Sequence, residues 1–113
     1  MSDKFEVLFL EEAANFLDQL PDKHREKILF NIRKAKVTQD QTLFKKLTDD
    51  IWEFRTLYQK TAYRIFAFWD KTDKVSTLVI ATHGINKKTN KTPQKEIEKA
   101  VHYRKQYFEQ NSK

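Results

Sequence analysis

The sequence predicts an α+β fold in which one domain spans residues 1–113, with a curved, antiparallel-rich sheet, an N-terminal helical hairpin and a C-terminal helix. Apolar residues recur at helical spacing in three segments, and in four shorter segments they alternate or form a continuous run. The composition favours a single packed core, because 39% of the 113 residues are hydrophobic and 13% are aromatic. One glycine and two prolines leave little sequence for linkers.

The first third of the chain predicts one strand followed by two helices. Residues 5–9 are short, apolar and alternating, which is typical of a strand. Residues 11–20 carry apolar side chains at helical spacing with acidic residues in the first turn, and Pro21 ends this helix. Asp22 is positioned to cap a second helix over residues 22–37, and we expect the two helices to form a hairpin.

Three consecutive strands are predicted in the second half, over residues 51–57, 63–69 and 75–83. Short turns at residues 59–61 and 70–74 connect them, so the three strands should be antiparallel. The first strand returns through the two helices and is free to pair with a central strand. The helices are expected to lie mostly on one side of the sheet.

The segment from Gly84 to Pro93 contains the only glycine of the chain and three lysines. It predicts a cationic loop between the fourth strand and a last helix over residues 93–108, with Thr92 as the N-cap and Pro93 as the first helical residue. Lysine side chains together with the N–H groups of the first helical turn can hold a phosphate. A solvated lysine-rich surface loop is the alternative interpretation.

The net charge is +6 and is unevenly distributed. Residues 84–113 carry eight Lys or Arg against three Asp or Glu, whereas residues 1–83 are nearly balanced. This asymmetry indicates a polyanionic partner, either nucleic acid or an acidic protein, against the alternative of a generally basic soluble surface. The absence of cysteine excludes disulfides and thiol chemistry. No signal peptide or membrane-length apolar run is visible, so a cytoplasmic location without membrane contact is expected.

Two arginines lie inside the predicted strands, and each is flanked by apolar residues. Such an arginine needs a partner or an anion. A structural pairing with Glu53 across the sheet is favoured for Arg55, whereas function is favoured for Arg64, because the cationic loop can converge on the same sheet face. His83 ends the fourth strand beside that loop and is a candidate acid or base, although a histidine there is more often structural.

The motifs of other kinds of catalysis are missing, so the remaining possibility is catalysis by positively charged side chains. No metal-ligand cluster, nucleotide-binding glycine loop or serine-nucleophile motif is present, so neither a metal nor a cofactor is expected. RNA supplies its own nucleophile, the 2′-hydroxyl, and its cleavage needs proton transfer and positive charge on the transition state. Clustered lysines can also lower one another's pKa, so that one acts as a base. The candidate catalytic residues are Arg64, Lys87, Lys88, Lys91 and His83.

Three segments together resemble the phage-derived HigB-like branch of the RelE/ParE toxin superfamily. They are residues 51–55 (IWEFR), 63–66 (YRIF) and 83–93 (HGINKKTNKTP), and they are followed by Glu96, Ile97 and Ala100. The resemblance extends from residue 5 to residue 108, and the lysine-threonine-proline segment is its most specific part. The order of the predicted elements is also similar to the compact RelE-like fold.

The resemblance implies the toxin of a type II toxin–antitoxin pair. Toxins of the HigB and RelE kind cleave mRNA, usually in the ribosomal A site, and use no metal. Their transition-state cations would correspond to Arg64 and the pair Lys87 and Lys88, and their partner is commonly a helix-turn-helix antitoxin. The family's basic docking surface for the ribosome would correspond to the second helix. With Arg55, the candidate RNA- and ribosome-binding residues are Lys23, Arg25, Lys27, Arg33, Lys34 and Lys36.

The chain departs from the RelE pattern at two places. Ile51 and Glu53 stand where RelE-type enzymes have lysines in the second strand, and Pro93 and Gln94 stand where they have a tyrosine. The general acid and base therefore do not carry over, and His83, Lys88 and Lys91 remain candidates for proton transfer.

Two alternative functions stay open at this point. The same fold includes ParE-like inhibitors of DNA gyrase, which bind a protein and cleave nothing. A non-catalytic RNA-binding module is the other alternative, because three strands followed by a helix are superficially similar to a double-stranded RNA-binding domain.

Overall fold

The computed structural model describes residues 5–38, 40–73, 77–87 and 92–111. Their elements in chain order are β1 (Glu6–Phe9), α1 (Glu11–Asp18), α2 (Asp22–Val37), β2 (Phe44–Lys46), β3 (Trp52–Tyr58), β4 (Thr61–Asp70), β5 (Leu78–Lys87) and α3 (Gln94–Asn111). The predicted first strand, first two helices and three later strands are confirmed within a few residues, apart from the two ends of the last strand. Its predicted start at residues 75 and 76 lies outside the described residues, and its carboxyl end differs from the prediction. No helix in the described ranges is long and apolar enough to cross a membrane.

The five strands form one sheet in the order β1-β5-β4-β3-β2. The pairs β2–β3, β3–β4 and β4–β5 are antiparallel, and β1 pairs with β5 in parallel. The parallel pair requires a crossover, which α1 and α2 provide together with the later strands. The predicted α+β class and antiparallel-rich sheet are therefore confirmed, and β1 joins an interior strand as the sequence allowed.

The two faces of the sheet are covered by different helices. The core on one face joins α1 and α2 to the sheet and includes Leu17, Ile28 and Ile65. The core on the other face, called here the α3 face, joins α3 to the sheet and includes Phe66 and Ala100. The sequence placed the helices mostly on one side, and the structure corrects this for α3. Helical periodicity shows that a helix has an apolar stripe, but it does not show which sheet face the stripe covers.

α1 and α2 follow one another across Pro21 and pack on the same sheet face. Pro21, not Asp22, is the N-cap of α2, and Asp22 is its first helical residue. The Asp22 carboxylate instead accepts a hydrogen bond of 2.6 Å from Arg25. Arg25 also donates to the Leu20 carbonyl at 3.1 Å, and this bond satisfies a backbone acceptor just beyond the end of α1. Arg25 therefore joins the two helices.

β2 is an additional strand that the sequence did not predict. It pairs with residues 52–54 of β3 and is only three residues long. A segment this short shows no alternation that could be distinguished from loop sequence. The turn between β3 and β4 was predicted, and Gln59 and Lys60 occupy it with φ of 48° and 66°. Two consecutive left-handed residues match the twist of a two-residue hairpin.

β5 extends four residues beyond its predicted end at His83. Residues 84–87 pair with β4 down to Ala62, so the predicted cationic loop does not begin at Gly84. α3 begins at Gln94, so Pro93 precedes the helix where the sequence predicted it as the first helical residue. The glycine serves close packing in a strand: a Cβ at Gly84 would lie 2.5 Å from Phe16 and 2.7 Å from Ile65.

Candidate active site

A β-bulge in β5 determines which side chains share the α3 face with Arg64. Phe66 pairs with His83, but Ala67 pairs with Ala81, so Thr82 is an extra residue in β5. Alternation alone would place residues 82, 84 and 86 on the face of Ile80. The bulge shifts the phase by one residue and turns residues 83, 85 and 87 onto that face. Lys87 thereby reaches the same side of the sheet as Arg64.

Four side chains meet there around one carboxylate. Arg55 and Arg64 are directly opposite each other in β3 and β4. Glu53 Oε2 lies 3.6 Å from Arg55 Nε and 3.5 Å from Arg64 Nε. Glu53 Oε1 accepts a 3.2 Å hydrogen bond from Thr92, whose hydroxyl oxygen accepts one of 3.3 Å from Lys87. Arg55, Arg64 and Lys87 with Glu53 are called the cationic cluster below.

The cationic cluster carries three positive charges against one negative charge in a poorly solvated place. Glu53 is only 2% exposed, whereas Arg55 is 31% exposed and connects the cluster to solvent. Like charges placed opposite each other in a sheet are destabilising, and buried charge is costly without full compensation. A cluster that keeps this positive excess is suited to receive an anion.

The hydrogen bonding of Arg64 leaves capacity for a ligand. Arg64 Nη1 donates to the Tyr63 carbonyl at 3.0 Å, but among the described residues its buried Nε makes no hydrogen bond. Burial lowers the pKa of Arg64, Glu53 raises it and Arg55 lowers it. A guanidinium titrates so far above neutrality that it keeps its charge here.

Lys87 is the cluster residue best suited to proton transfer. Burial lowers the pKa of Lys87, and the nearby charge of Arg64 lowers it further, with Glu53 acting in the opposite direction. Arg55 and Lys45 contribute additional repulsion. An ammonium with a lowered pKa gives up its proton nearer to neutrality.

The structure brings together some of the predicted site residues and separates others. Arg64 and Lys87 lie together in the cationic cluster, and Arg55 in β3 is its third cation. Lys88 and Lys91 lie outside the described residues. Thr92 was predicted as the N-cap of α3, but the hydrogen bonds of its hydroxyl join Lys87 to Glu53. The sequence predicted Glu53 only as a cross-strand partner of an arginine. Its central position was not predictable, because it depends on the register between β3 and β4 in the folded sheet.

His83 lies on the same sheet face as the cluster but is covered by α3. It is 1% exposed and stacks on Phe66 with 4.8 Å between ring centroids. Its Nε2 is 3.1 Å from Glu96 Oε1, and its Nδ1 is 2.9 Å from Thr82 Oγ1. A neutral tautomer with hydrogen on Nε2 satisfies both contacts when the Thr82 hydroxyl donates its proton to Nδ1. These contacts link β5 to α3, so the geometry supports a structural role better than a catalytic one.

Acidification is expected to weaken the fold through His83. Burial is the main cause that lowers the pKa of His83 below its usual value of 6.5, with Lys99 adding to it and Glu96 opposing it. The unfolded chain therefore binds more protons than the folded one just below pH 6.5, and stability falls as the pH falls from there. Urea unfolding between pH 7.5 and 5.5 should show this loss in the wild type and less of it in His83→Gln. Parallel curves for the two proteins would contradict the assignment.

The predicted docking residues of α2 fall into two groups. Lys23, Arg33 and Lys34 are exposed, and Lys27 is partly exposed with its Nζ 5.1 Å from the Phe30 ring centroid. Arg25 bonds to Asp22 and to the end of α1, and Lys36 forms an ion pair of 3.3 Å with Glu6. Among the residues that the structure describes, no three His, Cys, Asp or Glu side chains converge as metal ligands.

Comparison with protein-family models identifies a family that covers most of the chain. A family model described as "Phage derived protein Gp49-like (DUF891)" matches residues 15–105. The matched range includes α2, all strands after it and most of α3, so it contains every residue of the cationic cluster. No curated protein matches the chain.

Proposed function

Because the chain belongs to the family of phage-derived Gp49-like proteins, we propose that it is the toxin of a type II toxin–antitoxin pair and cleaves mRNA on the ribosome. The observation that carries the proposal is the cationic cluster, in which Arg55, Arg64 and Lys87 surround one carboxylate. A family of phage origin agrees with a toxin–antitoxin module, and a positively charged site agrees with a phosphodiester substrate.

The proposed reaction uses the 2′-hydroxyl of the RNA as nucleophile. It attacks the adjacent phosphorus atom, and the bond to the 5′-oxygen of the next nucleotide breaks. The 2′-hydroxyl loses a proton and the leaving 5′-oxygen gains one, so the products are a 2′,3′-cyclic phosphate and a 5′-hydroxyl. Negative charge accumulates on the phosphate oxygens as the barrier is crossed. Arg64 and Arg55 stabilise that charge, because they are positioned before the reaction and need little reorganisation. This chemistry requires neither a metal nor a cofactor.

Proton transfer is assigned to Lys87, with Glu53 as a positioning residue. Lys87 has a pKa shifted towards neutrality and is joined to Glu53 through Thr92. Glu53 is almost fully buried and ion-paired with both arginines, so it orients them and offsets part of their repulsion. Lys88 and Lys91 remain further candidates for this role.

The partners follow from the proposed reaction. The mRNA in a translating ribosome is the substrate, and the exposed cations of α2 are available for ribosomal RNA. An antitoxin of the helix-turn-helix class with an acidic surface would cover the basic site and stop cleavage. A target in the ribosome places the protein in the cytoplasm.

Primer extension on a defined mRNA tests the proposal. The purified protein is incubated with the mRNA, with and without translating ribosomes. We expect codon-phased cuts only when ribosomes are present. Cuts without ribosomes would indicate a free ribonuclease that uses the same cations.

The absence of cuts in both reactions would refute the nuclease. A supercoiling assay then distinguishes a ParE-like gyrase inhibitor, which responds, from a passive RNA-binding module, which does not. Binding of RNA with unchanged gyrase activity would leave the passive module.

A further inference from the structure

A groove runs from the cationic cluster to α2 along an uncovered edge of the sheet. β2 pairs only with residues 52–54 of β3, so β2 does not cover the rest of that strand. The groove has a volume of about 580 Å³, and its walls include Lys27 and Lys34 from α2 and Arg55, Leu57 and Arg64 from the sheet. The candidate active site and the basic helix therefore share one continuous concave surface.

The charge of this groove is strongly positive. Among the residues that the structure describes, four cations line it, and Asp40 is its acidic lining residue. The Asp40 carboxylate accepts hydrogen bonds of 2.9 Å and 2.6 Å from the backbone N–H and the hydroxyl of Thr42. These bonds are the main reason that the pKa of Asp40 is lowered. The surplus of cations makes a polyanion the complementary ligand.

Two exposed apolar side chains accompany these cations. Leu57 is 70% exposed and lines the groove between Arg55 and the hairpin turn. Phe30 is 49% exposed on α2, and the Nζ of the groove residue Lys27 lies 5.1 Å from its ring centroid. Apolar and aromatic surfaces interleaved with cations are typical of sites for single-stranded nucleic acid, because bases stack while phosphates pair with lysines.

We propose that this groove binds the single-stranded RNA substrate on one side of the scissile phosphate. Lys27 and Lys34 contact backbone phosphates, and Leu57 and Phe30 contact bases, while the cationic cluster holds the phosphate that reacts. The inference rests on the proposed function for the position of the scissile phosphate. It adds that α2 contacts the substrate strand itself as well as the ribosome.

Binding of a non-cleavable RNA tests the groove directly. A fluorescein-labelled, fully 2′-O-methylated RNA decamer lacks the nucleophile and is titrated with the intact protein at several salt concentrations. The double variant Lys27→Ala/Lys34→Ala should raise Kd by about tenfold. It should also reduce the slope of log K against log salt by about 1.4, because each phosphate contact on a single strand contributes about 0.7.

The matched control removes two other lysines. Lys71→Ala/Lys105→Ala makes the same change in net charge at exposed positions that do not line the groove, and its Kd and salt slope should stay near those of the wild type. Thermal unfolding confirms that both double variants remain folded. An unchanged Kd for the groove variant, or equal losses in both variants, would overturn the proposal.

Three further outcomes distinguish RNA binding in the groove from binding of an acidic protein and from the proposed nuclease activity. If a labelled polyglutamate peptide binds in a way that depends on Lys27 and Lys34 while the decamer does not bind, the groove belongs to an acidic protein segment and the RNA proposal fails. If the decamer binds through the groove but primer extension shows no cuts, the groove stands and the nuclease fails. Codon-phased cuts with no dependence of decamer binding on the groove give the reverse result.

Discussion

Replacing Arg64 with alanine is expected to reduce ribosome-dependent mRNA cleavage by about 10² to 10³-fold, as removal of one preorganised charge-stabilising donor does in other enzymes. Arg64 is held in the centre of the sheet, opposite Arg55 and 3.5 Å from Glu53, so its position does not depend on the substrate. Its loss removes charge stabilisation of the transition state. Single-turnover cleavage of one mRNA on stalled ribosomes measures the effect, and ribosome binding should change much less.

The Arg64→Ala variant is expected to fold. Arg55 remains as an ion-pair partner for Glu53, and the repulsion between the two opposed guanidinium groups disappears. Arg64→Lys is the informative companion, because it keeps the charge without the planar fork of donors and should recover only part of the rate. Lys71→Ala serves as an exposed control cation. Cleavage at the wild-type rate by folded Arg64→Ala would show that the active site has been placed wrongly.

Replacing Gly84 with alanine is expected to lower the free energy of unfolding by about 1–3 kcal/mol, the usual cost of overpacking a well-filled core. The added methyl group would lie 2.5–2.7 Å from the Phe16 ring and the Ile65 side chain. Ile65 is buried within the sheet, so Phe16 and with it α1 must move. Urea unfolding of wild type and variant gives the difference.

A double-mutant cycle isolates the cause of this destabilisation. In a Phe16→Ala background the main obstructing ring is absent, so Gly84→Ala should cost clearly less there than in the wild type. Equal costs in the two backgrounds would show that strand propensity or backbone freedom, and not contact with Phe16, requires glycine at this position.

The local elements were largely predictable from the sequence. The bounds of α2 and, within a few residues, those of β3 and β4 follow from hydrophobic periodicity, and the turn at Gln59 and Lys60 follows from its polar sequence between two apolar runs. These signals depend on residues a few positions apart, and the helices and strands that they predict are present in the structure. The prominence of Arg64 was also predictable, because an arginine in an apolar strand is conspicuous before its neighbours are known.

Other features depended on contacts between distant segments. Gly84 was interpreted as the start of a loop, but it is a strand residue whose missing side chain makes room for Phe16. His83 was a candidate acid or base, but α3 covers it and Glu96 bonds to it. Neither fact has a local signal, because both require the helices to be placed on particular faces of the sheet.

The sequence by itself determined that this chain is a basic α+β domain with cations in its strands and near its last strand, because composition and periodicity are properties of the chain alone. Only the tertiary structure decided that these cations converge. The extra residue at Thr82 shifts the phase of β5 and turns Lys87 towards Arg64, and the β3–β4 register places Glu53 between two arginines. Register and bulges are set by long-range backbone hydrogen bonds and by the packing of both faces at once, and no local pattern records them.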